Sequence, residues 1–164
     1  MLRHLPPSSK RTQRRGAAAV EMALVLPVFI TMTFFSIEAG HALNVSQKLE
    51  SVVRDGGRLA MKDVDPSLLP GGMTSNQKVT NDIKNMLKAE GYPATNIVVS
   101  IVHADGATVG QTFDLALVAN QYKLMKISVS IPYADVGIFP MRISRTTVME
   151  ASLIASRGRS TLNY

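Results

Sequence analysis

The chain has 164 residues, no cysteine and a formal net charge of +6, so one small domain can follow an apolar segment, but no disulfide or thiol site can form. The charge is concentrated at the start. Residues 1–16 carry five basic residues and no acid, whereas the rest of the chain has a net charge of only +1. Because no later run of Lys and Arg is interleaved with aromatic residues, the composition argues against a nucleic-acid partner. We expect residues 1–16 to be a basic cytoplasmic leader.

The segment that follows, residues 17–37, is apolar and carries a single charged residue, Glu21. As a helix rising about 1.5 Å per residue it spans roughly 30 Å, the thickness of a bilayer's hydrocarbon core. Only Lys48 and Arg54 are basic in the twenty positions after it. The positive-inside rule therefore predicts a single-pass protein of the inner (cytoplasmic) membrane, with a cytoplasmic N-terminus and a periplasmic C-terminal domain.

A cleaved secretory signal peptide is the main alternative for this segment. Such a peptide has a shorter apolar region, of about 7–15 residues, that ends in small residues at an A-x-A-like site. Here the apolar run is longer, and the nearest candidate site, residues 40–42, has His41 at its centre. The sequence favours a retained transmembrane helix.

Two residues within the apolar segment call for an explanation. Pro27 lacks a backbone N–H and predicts a kink, which transmembrane helices tolerate. Glu21 raises the free energy of insertion by a few kcal/mol unless a positive charge pairs with it. Arg14 and Arg15 lie six or seven residues earlier. Two interpretations stay open: Glu21 extends toward the cytoplasmic interface, or it pairs with a positive group of another chain.

The sequence RGAAAVEMALVLP at residues 15–27 closely resembles the start of TadE-like proteins. These are pseudopilins of the tight-adherence (Tad) pilus system, within the type IV pilus and type II secretion superfamily. The similarity continues through residues 38–40 and 47–58, and it covers residues 15 to about 60. Met22 stands where the family more often has Phe, another large apolar residue.

The resemblance implies a processing step and a charge pair. A prepilin peptidase would cut the Gly16–Ala17 bond, which makes Glu21 the fifth residue of the mature chain. In this superfamily the equivalent Glu neutralises the N-terminal ammonium of a neighbouring subunit, here that of Ala17, and this pairing offsets the burial of both charges. The implied partners are the lipid bilayer, the peptidase, other pseudopilins, the pilin and the inner-membrane assembly platform, in a hetero-oligomer.

Residues 38–73 are expected to extend the helix beyond the membrane and to end in a loop. Gly56 and Gly57 predict a weakened or bent helix, and residues 65–66 and 70–72 predict its end. An apolar stripe at helical spacing favours packing on a sheet. The stripe comprises Val45, Leu49, Val52, Val53, Leu59 and Ala60.

Residues 74–164 are expected to form an extracytoplasmic α+β domain. A helix is predicted from Ser75 to Glu90, capped by Thr74 or Ser75. About four strands are predicted after it. They are Ile97–His103, Phe113–Leu117, Met125–Tyr133 and Ile143–Ala151, followed by a frayed basic tail with Arg157 and Arg159. The predicted fold is α+β: a long N-terminal helix, transmembrane and then amphipathic, packs with a second helix on a small, mainly antiparallel sheet.

No constellation of residues predicts catalysis, a metal site or a cofactor. His4, His41 and His103 lie far apart in the sequence, without partners at ligand spacing. No phosphate-binding glycine motif or nucleophile elbow is present. We therefore expect a minor TadE-like pseudopilin that acts in assembly of a Tad/Flp-type pilus and is not an enzyme. The alternative is an uncleaved, single-pass membrane-anchored module that binds a partner in the cell envelope.

Overall fold

The computed structural model describes residues 10–62, 69–139 and 146–157, with side chains from Gly16 onward except that of Ala94. The described residues fall into two compact units that divide between Gly40 and His41. One 52-residue helix, α1 (Lys10–Met61), contributes residues to both units.

The first unit consists of the apolar half of α1. Its large apolar side chains from Val20 to Ile37 are between 42% and 73% exposed. Its three hydroxyl groups donate to backbone carbonyls three or four residues earlier, at 2.8–2.9 Å. These pairs are Thr31 to Val28, Thr33 to Phe29 and Ser36 to Met32. Within the described ranges, α1 alone is long and apolar enough to cross a membrane, by length and composition.

The second unit combines the remainder of α1 with a second helix and a three-stranded sheet. Helix α2 spans Ser75–Ala89. The strands are β1 (Val98–His103), β2 (Leu124–Pro132) and β3 (Val148–Ser156), in the order β1-β2-β3 with both pairs antiparallel. The predicted α+β fold is confirmed.

The central strand β2 alternates between core and solvent, as its sequence predicts. Its four inward side chains are fully buried, whereas the polar residues between them are partly exposed. The inward residues are Met125, Ile127, Val129 and Ile131. A strand places alternate side chains on opposite faces, so one face of the sheet forms the floor of the core.

Apolar residues of both helices join the inward sheet residues in one core cluster. From α1 the cluster includes Val45 and Leu49, and from α2 it includes Ile83 and Leu87, each at most 1% exposed. Thr74 begins α2 with a capping box, because its hydroxyl accepts from the Gln77 N–H and the Gln77 side chain accepts from the Thr74 N–H. The prediction of α2 and its cap is confirmed.

Helix α1 continues through Gly56 and Gly57 to Met61, and the predicted weakening or bend at these glycines stays a prediction. The two glycines permit close packing. A Cβ added at Gly56 would lie 2.5 Å from Cδ1 of Ile83 in α2, and one at Gly57 would overlap Cδ2 of Leu153 in β3. Because glycine has no Cβ, α1 can approach α2 at Gly56 and the sheet at Gly57.

Alanine at these two positions should affect the free energy of unfolding differently. Ile83 is fully buried, so Gly56→Ala should lower the free energy of unfolding by about 1–2 kcal/mol through overpacking. Leu153 is partly exposed and can rotate away. Gly57→Ala should therefore be neutral, or should stabilise by up to about 1 kcal/mol through helix propensity. Urea unfolding of the full chain in detergent measures both, and a larger loss in Gly57→Ala would contradict this packing.

The predicted strand Phe113–Leu117 is wrong. No strand is assigned to it: an isolated bridge joins Val102 to Thr112, the residue before the segment, and the N–H of the fully buried Phe113 donates to the Ile101 carbonyl at 3.0 Å. The side chain of Asn76 takes the role of a neighbouring strand: its Nδ2 donates to the Phe113 carbonyl at 2.6 Å, and its Oδ1 accepts from the Leu115 N–H at 2.9 Å. The amide of Asn76 therefore satisfies two backbone groups of this segment without a regular strand partner.

Removing this amide should destabilise the second unit. Asn76→Ala leaves a part-buried carbonyl and a part-buried N–H without partners, which should lower the free energy of unfolding by about 1–3 kcal/mol. Asn81→Ala is the matched control, since Asn81 is exposed on the same helix and bonds weakly, to the Met73 sulfur at 3.9 Å. Equal urea midpoints for the two variants would contradict the role of Asn76.

The last strand lies further along the chain than predicted. Residues 143–145 fall outside the described ranges, and β3 begins at Val148 and runs to Ser156, five residues beyond the predicted end at Ala151. The predicted frayed tail is wrong at Arg157, which is 4% exposed and donates from Nη1 to the Leu117 carbonyl at 3.3 Å. Arg159 lies outside the described residues. Within the described ranges the sheet has three strands, where about four were predicted.

Candidate functional site

The predicted processing site and charge pair lie on one stretch of α1. Ala17 and Glu21 are four residues apart in a helix and therefore project from the same face, with their Cβ atoms about 6 Å apart. Both residues are exposed. The Glu21 carboxylate makes no hydrogen bond or ion pair to any side chain that the structure describes, a set that begins at Gly16. An exposed carboxylate surrounded by apolar side chains is the principal chemical feature of this stretch.

The Gly16–Ala17 bond lies near the N-terminal end of α1, which begins at Lys10. Glycine in a helix interior makes the free energy of helix formation about 1 kcal/mol less favourable than alanine does. Gly16 therefore lowers the free energy needed to unfold this part of the helix. A Cβ added at Gly16 would meet no heavy atom within 4 Å. A side chain at position 16 would therefore leave the fold intact, and its effect on a peptidase could be measured separately.

Pro27 lies within α1, and the helix continues through it. Its ring nitrogen has no hydrogen to donate to the Ala23 carbonyl one turn earlier. The predicted kink at Pro27 and the roles of Gly16, Ala17 and Glu21 stay predictions.

An ion pair connects the two helices of the second unit. Lys48 of α1 lies 2.6 Å from the carboxylate of Glu90, the residue that follows α2. This hydrogen bond and the negative charge of Glu90 raise the pKa of Lys48 above its usual value. Burial raises the pKa of nearby Tyr92. The ion pair links α1 to the end of α2, and both of its side chains are 42% exposed.

The two histidines that the structure describes each contact another residue of the second unit. His103 is buried against the ring of Phe113, with ring centroids 4.6 Å apart. His41 lies 2.7 Å, Nε2 to O, from the carbonyl of Val136, a residue 95 positions later in the chain. The sequence contains no signal for this contact. Across residues 10–62, 69–139 and 146–157, no group of three or more His, Asp or Glu is placed to hold a metal ion.

In the part of the chain that the structure describes, one apolar N-terminal helix that is long enough to cross a membrane precedes a small α+β unit. Residues 16–58, a little over a quarter of the chain, match the family model described as TadE-like protein, which confirms the predicted family resemblance. No curated protein and no solved structure matches the chain.

Proposed function

We propose that this chain is a minor pseudopilin of the TadE type, anchored in the inner membrane by α1 and acting in the assembly of a Tad/Flp-type pilus. The observation that carries the proposal is the TadE-like match, which starts at Gly16 and includes the exposed Glu21 within the apolar segment. An anchor that only tethers a domain gains nothing from a carboxylate at this position, because the charge opposes insertion.

The proposed mechanism begins with removal of residues 1–16 by a prepilin peptidase. The new ammonium group at Ala17 and the carboxylate of Glu21 are then one helical turn apart on each subunit. When subunits pack side by side in the membrane, the carboxylate of one meets the ammonium of the next. Each charge then has a partner in the low-dielectric interior, and the pair sets the register between the helices.

The remaining parts of the protein have supporting roles in this proposal. The exposed apolar side chains of the first unit would contact lipid and neighbouring helices. The second unit would face the periplasm, consistent with the excess of basic residues before the apolar segment. The proposed protein partners are other pseudopilins, the pilin and the assembly platform.

Intact mass tests the processing step. The full chain is produced with and without its cognate prepilin peptidase, and the expected result is a peptidase-dependent loss of the mass of residues 1–16. Gly16→Val should lower the processing rate by about a hundredfold, because a branched side chain displaces the scissile bond from the catalytic groups. An unchanged mass in the presence of active peptidase would contradict the proposal and favour an uncleaved, membrane-anchored binding module.

Gly40→Val is the matched control for this experiment. Gly40 lies in the same helix, and a Cβ added there also meets nothing within 4 Å. The control therefore makes the same chemical change away from the cleavage site, and it should be processed at the wild-type rate. Equal loss of processing in both variants would mean that Gly16 has no special role.

A further inference from the structure

One short turn of the second unit displays three large apolar side chains to solvent. We name this segment, residues 117–122, the apolar turn. Leu117 is 50% exposed, Val118 is 70% exposed and Tyr122 is 69% exposed. Single exposed apolar residues are ordinary on a protein surface, whereas a patch of them marks an interaction site.

Buried polar side chains fix the backbone of the apolar turn. Arg157, 4% exposed, donates from Nη1 to the Leu117 carbonyl at 3.3 Å. Asn120, 3% exposed, donates from Nδ2 to the Asp114 carbonyl at 3.0 Å. The Tyr122 N–H donates to the Arg157 carbonyl at 2.9 Å. Because the turn is already ordered, it loses little conformational entropy on binding, which favours its use as a contact surface.

The backbone of Tyr122 has an unfavourable conformation. Within the described ranges, Tyr122 alone among the non-glycine residues has a positive φ, of 64°. This left-handed conformation is rare for a bulky side chain, and asparagine adopts it more readily. Strained residues of this kind cluster at functional sites. The fold itself therefore does not account for an exposed tyrosine at this position.

An apolar cavity of about 60 Å³ lies close to the apolar turn. Its apolar lining comes from Leu59 and Ala60 at the end of α1, from Val79 of α2, and from Leu115. Leu115 precedes the apolar turn by two residues, which span no more than about 7 Å of chain. The apolar turn and the cavity are therefore neighbours on the surface of the second unit.

Opposite charges accompany the cavity and the turn. Lys62 lines the cavity, and Asp114 lies next to Leu115. Both side chains are exposed, and neither forms an ion pair with a side chain that the structure describes. Lys78, which also lines the cavity, is by contrast paired with Asp82 at 2.9 Å.

We propose that the apolar turn is a self-association surface, which packs against the cavity between α1 and α2 of a second copy of this chain. Because turn and cavity are neighbours, a two-fold axis lets each turn meet the cavity of the other copy, so the same contact forms twice. This exchange would also bring Lys62 of each copy toward Asp114 of the other. The occupant is a second copy because one chain supplies both apolar surfaces and both charges.

The proposed surface lies entirely within the second unit. The contact does not require cleavage after Gly16, a role in pilus assembly or any particular position of the second unit relative to the apolar half of α1.

Photocross-linking identifies what the apolar turn contacts. The full chain carrying p-benzoylphenylalanine at position 122 is co-reconstituted in phosphatidylcholine vesicles with an isotopically heavy wild-type chain and irradiated. The expected product joins position 122 of the light chain to a heavy peptide that contains residues 59–62 or 78–82. Cross-links to lipid, to the same chain alone or to another part of the heavy chain would each overturn the proposal.

Tyr122→Asn separates self-association from folding. Asparagine accepts the left-handed backbone, so the urea midpoint of the variant should equal or exceed that of the wild type. Removing an aromatic anchor from the centre of an interface should weaken self-association by about thirtyfold. Sedimentation equilibrium of the full chain in detergent measures the dimer dissociation constant.

Ile138→Asn is the matched control, because it makes the same kind of change at another exposed apolar position. Ile138 follows the end of β2, whereas Tyr122 precedes its start, so about 27 Å of strand separates the two ends. The control should associate like the wild type. Wild-type association of Tyr122→Asn, an equal loss in Ile138→Asn, or a wild-type chain that stays monomeric would overturn the proposal.

Discussion

Glutamine in place of Glu21 should remove the subunit from assembled pilus complexes while leaving it in the membrane. The proposed partner of Glu21 is the ammonium group of a neighbouring mature N-terminus. Removing one member of a buried ion pair leaves the other charge uncompensated, which costs about 3–5 kcal/mol. At about 1.4 kcal/mol for each tenfold change, association should weaken by roughly a hundredfold or more. Co-purification of the tagged variant with the assembly machinery measures the loss.

The design of this experiment separates assembly from insertion. Glutamine is uncharged, so Glu21→Gln should insert at least as well as the wild type and fractionate with the membrane. Met22→Leu is the matched control, because it changes the adjacent exposed side chain and keeps it apolar. Wild-type recovery of Glu21→Gln in the complexes would show that the carboxylate has no role in assembly.

Alanine in place of Phe113 should cause the largest loss of stability in the second unit. Phe113 is fully buried in the core and contacts the ring of His103. Truncating a buried Phe removes its burial and leaves a cavity, which together lower the free energy of unfolding by about 3–5 kcal/mol. This is a large fraction of the roughly 5–15 kcal/mol that stabilises an ordinary domain. Urea unfolding followed by circular dichroism of the second unit's sheet signal measures the change.

Leu117→Ala provides the comparison from the same segment. The sequence predicts Phe113 and Leu117 on one strand, whereas the structure buries Phe113 and leaves Leu117 50% exposed. Leu117→Ala should therefore change the free energy of unfolding by no more than about 0.5 kcal/mol. Similar losses in the two variants would contradict the observed burial and support the predicted strand.

Local patterns account for the parts of the fold that the sequence predicted correctly. Strand β2 has strict alternation of apolar and polar residues, and α2 has a cap and an apolar face, so each is defined within its own segment. The TadE-like motif is local in the same sense, because Gly16, Ala17 and Glu21 all lie within two turns of α1. Their relation could be predicted without knowledge of the tertiary structure.

Contacts between distant residues account for the parts that the sequence did not predict. The Phe113–Leu117 segment alternates like a strand, but the side chain of Asn76 binds its backbone at the Phe113 carbonyl and the Leu115 N–H. Strand β3 exposes Ile154 and turns the small Ala151 inward, so its apolar pattern does not mark its core face. The packing role of Gly56 depends on Ile83, 27 positions later.

The most direct test of the central proposal is zero-length cross-linking with a lipophilic carbodiimide, which joins a carboxylate to an amine only when the two are in contact. Assembled complexes are cross-linked in the membrane, digested and analysed by mass spectrometry. The predicted product is an amide between the Glu21 carboxyl carbon and the α-amino nitrogen of a neighbouring subunit's processed N-terminus. Recovery of Glu21 unlinked, in chains that still carry residues 1–16, would contradict both the processing and the charge pair.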